Sequence, residues 1–123
     1  MSAAQQLAAY RTVQKITSSG REIEALVLSR AAEKLAEVQK NWNAPDRDEK
    51  LDEALRHNQF VWSIFQGELM KEDNPLPKQL RQDILSISAF IDKRIYEIMS
   101  YPAPEKLTVI INLNLNLAAG LRG

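Results

Sequence analysis

Hydrophobic residues recur every three or four positions along most of the chain, as expected for helices that bury one face. The longest series occupies the second half of the sequence and comprises Leu80, Ile84, Ile87, Ile91, Ile95 and Ile98. Two shorter series precede it: Leu28, Ala31, Leu35, Val38 and Trp42, then Leu51, Leu55, Asn58, Trp62, Phe65 and Leu69. This periodicity predicts an all-α protein.

Clusters of helix-breaking residues divide the chain into five helical segments. The breaks lie at 18–20, 43–45, 74–77 and 101–104. The first segment, about 5–16, is short and only moderately apolar, so it must dock or fray. Ser19 with Glu22 predicts a capping box at the start of the second helix. Asp46 with Glu49 predicts a similar capping box at the start of the third. Pro77 is suited to the first turn of the fourth.

The fifth segment carries two conflicting signals. Leucine and asparagine alternate strictly over 113–117, which is typical of a strand. One strand without a partner would leave an unpaired edge, so we expect a helix from about Pro104 instead. That helix would place on one face Leu107, Ile110, Ile111, Leu117, Ala118 and Leu121. The whole chain, 1–123, is therefore predicted to form one small up-and-down helical bundle of four to five helices.

The amino-acid composition is typical of a globular protein and gives no sign of nucleic-acid binding, disulfides or membrane insertion. Apolar residues make up 45% and charged residues 26%, with sixteen basic and sixteen acidic side chains, so no basic excess favours direct nucleic-acid binding. Cysteine is absent, which rules out disulfides and thiolate metal sites. The first residues lack a signal-peptide pattern, and no apolar stretch reaches the roughly 20 residues that span a bilayer. We expect a cytoplasmic protein without membrane insertion.

Catalytic motifs are missing from the sequence. His57 is the single histidine, which alone cannot build the usual zinc site, and we expect it at the surface or boundary. None of the glycine-rich phosphate loops occurs in a chain with four glycines. The sequence therefore predicts a protein that is not an enzyme and that holds no cofactor and no metal.

Two asparagines interrupt apolar faces. Asn58 lies in the series of the third segment, and Asn114 lies in the apolar fifth segment. A buried amide is costly unless it is hydrogen-bonded, so each should have a partner. The structural interpretation is that they bond each other or a loop backbone and so fix helix register. The functional alternative is that one of them contacts a bound peptide.

The fifth segment also has more apolar surface than one buried face requires. No charge occurs between Lys106 and Arg122, and Val109, Leu113 and Leu115 extend the apolar surface. Either this helix is central in the bundle, or its second face binds a partner. The candidate partner-binding residues are Val109, Ile110, Leu113, Leu115, Leu117 and Leu121.

Several short motifs, taken in order, are shared with one family. Tyr10 precedes an Arg-Glu-Ile-Glu element at 21–24, the segment 55–62 carries an Asn leading to a Val-Trp pair, and an Asn-Pro-Leu-Pro turn at 74–77 precedes Leu-Arg. The chain resembles the FlaF family of flagellar biosynthesis regulators of alphaproteobacteria over nearly its whole length. The family-motif positions are Tyr10, Asn58, Trp62, Leu76, Pro77, Leu80, Arg81, Asp92, Asn114 and Gly120.

The resemblance implies a function that the amino-acid composition alone does not indicate. FlaF proteins look like non-enzymatic helpers that bind flagellin and promote its production and export, opposite FlbT, which restrains flagellin synthesis. The alternative is a regulatory adaptor that controls flagellin translation through FlbT without binding flagellin. The family pattern has arginines after its middle and closing asparagines, where this chain has Gln59 and Leu115.

Overall fold

The computed structural model describes residues 3–123, with side-chain positions from residue 20 onward. It contains four α-helices, which are α1 (Ala3–Lys40), α2 (Arg47–Leu69), α3 (Lys78–Ser100) and α4 (Thr108–Arg122). A 3₁₀ turn (Pro104–Leu107) leads directly into α4. Strands do not occur in the described residues, so the predicted small all-α bundle is confirmed.

The first two predicted segments form one continuous helix. The break expected at 18–20 is wrong, because α1 passes through Gly20 without interruption. Ser19 is therefore inside the helix and is not an N-cap. A glycine inside a helix costs about 1 kcal/mol. Ending the helix there would cost more, since each new terminus leaves four backbone groups without helical partners.

The other helix starts follow the sequence closely. Asp46 is the N-cap residue of α2, as predicted, but its side chain makes no capping hydrogen bond. Asp48 and Glu49 lie in the first turn of α2, where their charge stabilises the helix dipole. Pro77 is the N-cap of α3 rather than part of its first turn, with extended backbone angles of φ −55° and ψ 143°.

Most residues of the predicted apolar faces form the core, and those that lie half-buried against it are Trp42, Phe65, Ile87, Leu117 and Leu121. Trp62 is fully buried at its centre, among Leu28, Leu35, Leu55, Ile91, Ile95, Ile98, Leu107 and Ile110. Leu80, the first member of the α3 series, is 44% exposed because it lies in the first turn, at the edge of the bundle. The fifth segment is helical as predicted, so the alternation at 113–117 does not mark a strand.

The four helices form a four-sided bundle. Three neighbouring pairs of helices pack closely, and the side between α3 and α4 is open. α1 packs along most of α4 and against α2, and α2 packs against α3. α3 reaches the fourth helix mainly at the 3₁₀ turn, where the Arg94 Nε donates to the Lys106 carbonyl oxygen at 3.4 Å. Gln39 secures the same end of the bundle, since its Nε2 donates to the Pro104 carbonyl and to the Thr108 Oγ1, each at 2.9 Å. Beyond this end, the backbones of α3 and α4 do not pack closely.

Candidate partner-binding surface

A buried polar cluster fixes α4 against the rest of the bundle. The Trp62 Nε1 donates to the Asn114 Oδ1 at 2.9 Å, and the Asn114 Nδ2 donates to the Asn58 Oδ1 at 2.6 Å. The same Nδ2 lies 3.4 Å from the Leu28 carbonyl oxygen. The expectation that the two asparagines bond each other is confirmed. Asn114 thus contacts α1 and α2 at once and places the remaining faces of α4 in a defined orientation.

The six residues proposed for partner binding have different positions on α4. Ile110 is fully buried and packs in the core, so it offers no surface to a partner. Val109, Leu113, Leu117 and Leu121 are half-buried against the core, and Leu115 is 43% exposed. α4 is therefore both a core helix and a surface helix, which combines the two alternatives that its sequence left open.

Val109, Leu113 and Leu117 lie on successive turns of one flank of α4, four residues apart. Leu115 is two positions from Leu113, about 200° around the helix, and so lies on the other flank. The structure therefore separates Leu115 from the other apolar residues of the predicted set. The flank that carries Val109, Leu113 and Leu117 continues from Lys106, whose carbonyl accepts the bond from Arg94 of α3.

A matching apolar row lies on α3. Phe90 and Ile87 are four and seven positions before Arg94, on the same side of the helix, and Leu80 is seven positions further. Phe90 is 46% exposed and Ile87 is half-buried. Since α3 and α4 run in opposite directions from the Arg94–Lys106 contact, the two rows lie along the same open side. We call this surface the α3–α4 groove, formed by Leu80, Ile87, Phe90, Val109, Leu113 and Leu117.

Sequence reasoning identified only the α4 wall of this groove. The α3 wall was missed because Ile87 and Leu80 belong to a regular apolar series and were assigned to the core. Phe90 could have indicated this wall from the sequence, because it is a large aromatic residue that lies outside the buried series. A single exposed aromatic residue is ordinary, and it becomes informative here because it continues an apolar row on a neighbouring helix.

Two titratable groups are perturbed where α1 meets α2. Partial burial raises the pKa of Glu24, with a further rise from Glu68, while Arg21 acts in the opposite direction. Partial burial lowers the pKa of His57, and the charge of Lys34 adds to this effect. His57 is half-buried, in agreement with the expected boundary position. Both groups lie on the side of the bundle where α1 packs against α2, away from the α3–α4 groove.

The described part of the chain contains neither a metal-binding cluster nor a membrane-spanning helix. Among the side chains that the structure describes, from residue 20 onward, no three His, Asp or Glu residues come together in a way that could hold a metal ion. Across those residues, every helix is too short or too polar to cross a bilayer.

Comparison with known families identifies the chain. Residues 6–121 match the family described as flagellar protein FlaF. The chain belongs to the FlaF family. No curated protein and no solved structure matches it. The match covers nearly the whole sequence, so the resemblance that the motifs indicated is confirmed.

Side chains that the resemblance assigned to family motifs make hydrogen bonds in the α2–α3 connection. The Asn74 side chain bonds the Glu68 carbonyl at 3.0 Å and accepts from the Leu76 amide at 3.0 Å, which closes the turn before Pro77. The Arg81 guanidinium donates to the Lys71 carbonyl at 3.1 Å. These bonds hold the connection against the start of α3.

The remaining FlaF positions divide between packing and surface. Asp92 accepts a hydrogen bond of 3.1 Å from the Gln66 Nε2, which also bonds Ser88, so this cluster links α2 to α3. Gly120 is exposed, and an added Cβ would meet no atom within 4 Å. Tyr10 falls in the part of α1 whose side chains are not described. Gln59 and Leu115, the two positions where the resemblance implies arginine, are both exposed.

Proposed function

We propose that this FlaF-family protein is a cytoplasmic flagellin-binding helper. It would act as a secretion chaperone or assembly factor that promotes the production and export of flagellin. The observation that carries the proposal is the α3–α4 groove, where a bundle with three packed sides leaves apolar side chains accessible on the fourth. A protein whose role is to bind another protein requires such a surface.

The chemistry of the groove favours an amphipathic helix as its ligand. Val109, Leu113 and Leu117 present an apolar row about 12 Å long, which matches two to three turns of a partner helix. The α4 wall has no charged side chain between Lys106 and Arg122, so a hydrophobic face would not bury an unpaired charge there. Docking of one helix face in an apolar groove is a recurring mode of peptide recognition.

The proposed mechanism is shielding of unassembled flagellin. On this proposal, the groove binds an amphipathic helical segment of flagellin and covers surface that would otherwise polymerise early. The groove would release its ligand when assembly contacts of larger area replace it. Such a mechanism needs complementary shape and no catalytic group.

The decisive experiment is a binding measurement with defined groove variants. Purified protein would be tested against soluble flagellin and against FlbT by pull-down and calorimetry. We expect stoichiometric binding of flagellin, loss of that binding in Leu113→Asp, and retention in Leu115→Asp on the other flank of α4. Circular dichroism of both variants must show an unchanged helical signal.

Other outcomes would change the assignment. Loss of helical signal in Leu113→Asp would show that this residue is required by the core, and Phe90→Asp would then test the groove from α3. Binding to FlbT but not to flagellin would contradict the chaperone and support the regulatory adaptor. Loss of binding in Leu115→Asp alone would move the binding surface to the opposite flank of α4.

A further inference from the structure

A carboxylate lies in the α3 wall of the α3–α4 groove. Asp83 is three positions after Leu80 and four positions before Ile87, so these three side chains lie on one side of α3. Arg94, which contacts the 3₁₀ turn before α4, is eleven positions after Asp83, or about three full turns along the same side. The other flank of α3 packs against α2. Asp83 therefore lies on the flank that faces the groove, and it is exposed.

The charge of Asp83 has no cationic partner among the described side chains. Its Oδ1 accepts a hydrogen bond of 2.9 Å from the Nε2 of Gln79, one turn earlier on α3, and glutamine is neutral. The ion pairs formed by side chains from residue 20 onward do not include Asp83. Since the residue is exposed, water solvates its charge in the free protein.

The cationic groups at the closed end of the groove already have partners. The Arg94 Nη1 pairs with the Glu97 Oε2 at 3.2 Å, and the Lys106 Nζ donates to the Tyr101 carbonyl oxygen at 2.7 Å. On the α4 wall, no charged residue occurs between Lys106 and Arg122. A ligand that lies along the groove therefore meets apolar side chains and the Asp83 carboxylate.

A helix docked in the groove would remove this carboxylate from water. A desolvated charge without a partner is strongly unfavourable, and a cation on the ligand recovers that cost by pairing with it. An acidic side chain at the same point would be repelled. The groove therefore discriminates between ligands whose apolar faces are equally suitable but whose flanking charges differ.

We propose that Asp83 determines the specificity of the α3–α4 groove, which selects an amphipathic helix with a lysine or arginine at the edge of its apolar face. The apolar face packs against the α4 row of Val109, Leu113 and Leu117, and the basic residue pairs with Asp83. This inference rests on the proposed function, because it concerns the same groove and names the chemistry of its ligand. The segment of flagellin that binds is then one that carries such a basic residue.

Two synthetic helical peptides test the charge preference directly. Both have the same apolar face over about four turns, and they differ only in carrying lysine or glutamate along the edges of that face. Fluorescence anisotropy measures their binding to the protein, which has no formal net charge of its own to attract either peptide. We expect the lysine peptide to bind at least about fivefold more tightly, with a preference that falls as salt rises. Equal affinities, or binding of neither peptide, would overturn the inference.

Substitution of Asp83 tests whether this carboxylate causes the preference. Asp83→Asn should remove most of it, and Asp83→Lys should reverse it in favour of the glutamate peptide. Asp73→Asn is the matched control, because it removes an equal charge from an exposed residue of the α2–α3 connection, outside the groove. Both positions are exposed, so circular dichroism of all three variants should match the wild type. A preference that persists in Asp83→Asn, or that falls equally in Asp73→Asn, would contradict the role of Asp83.

Soluble flagellin separates this inference from the proposed function. We expect Asp83→Asn to weaken flagellin binding by about threefold to tenfold, and Asp83→Lys to weaken it further. Flagellin binding that is lost in Leu113→Asp but unchanged in both Asp83 variants would overturn the inference and leave the proposed function standing. Binding of the lysine peptide that depends on Asp83, in a protein that does not bind flagellin, would overturn flagellin as the ligand and support the inferred ligand chemistry.

Discussion

The Asn114 side-chain amide donates a hydrogen bond of 2.6 Å to the side-chain oxygen of Asn58, 56 positions away in the chain. This bond joins α4 to α2, although the close backbone packing of α4 is with α1. Both residues are fully buried, as is Trp62, which donates to the same Asn114. The register of α4 therefore depends on a polar contact inside an apolar core, and the position of the α3–α4 groove depends on that register.

Asn114→Leu should destabilise the protein by about 2–3 kcal/mol, because it leaves the Trp62 Nε1 and the Asn58 Oδ1 buried without partners. Urea unfolding followed by circular dichroism measures the loss. Asn116→Leu is the control, since Asn116 is exposed on the same helix. Equal stability of the two variants would show that the cluster makes no net contribution.

The two faces of α4 should respond differently to truncation. Ile110→Ala removes a fully buried side chain and should cost about 2–5 kcal/mol of unfolding free energy. Leu115→Ala should cost less than about 1 kcal/mol, because Leu115 retains much of its solvent contact. Thermal or urea unfolding of the two variants provides the comparison. Similar losses would contradict the placement of Ile110 in the core and Leu115 at the surface.

Gly67→Ala should stabilise the protein by about 0.5–1 kcal/mol, because alanine is the better helix former and its Cβ would meet no atom within 4 Å. Gly67 lies inside α2, and its backbone is helical. Denaturant unfolding at low protein concentration measures the effect on the monomer. A destabilised Gly67→Ala variant would show that this position has a steric constraint within the bundle.

Glu24→Gln should stabilise the protein at neutral pH but not in acid. Burial raises the pKa of Glu24, so the folded state favours its neutral form. The wild type therefore loses stability as the pH rises from the ordinary carboxyl pKa through the raised value. Glutamine is always neutral and avoids that loss.

Thermal unfolding at several pH values measures this difference. It should be present at pH 7 and should disappear below the ordinary carboxyl range. Glu22→Gln is the control, because Glu22 is an exposed neighbour on α1. A stability difference that is independent of pH would show that burial of the Glu24 charge is not its cause.

Local patterns predicted the helices well and their termini less well. Ile84, Ile91, Ile95 and Ile98 form a buried face of α3, and α2 begins directly after Asp46, because periodicity and helix-start signals are properties of neighbouring residues. The break predicted at Gly20 failed, since a local cost of about 1 kcal/mol does not end a helix that is favourable on both sides. The hydrogen bond between Asn58 and Asn114 was one of the two alternatives predicted, because buried amides need partners.

The sequence by itself determined the helical class, the main core residues, the membership of the FlaF family and the surplus apolar surface of α4. Only the tertiary structure decided which parts of that surface are accessible. It buried Ile110, placed Leu115 on a separate flank, and left Phe90 and Ile87 of α3 on the same open side of the bundle as Val109 and Leu113 of α4. The physical reason is that periodicity records how apolar each helix face is. Exposure also depends on which helices pack together, and here α3 and α4 leave one side of the bundle open.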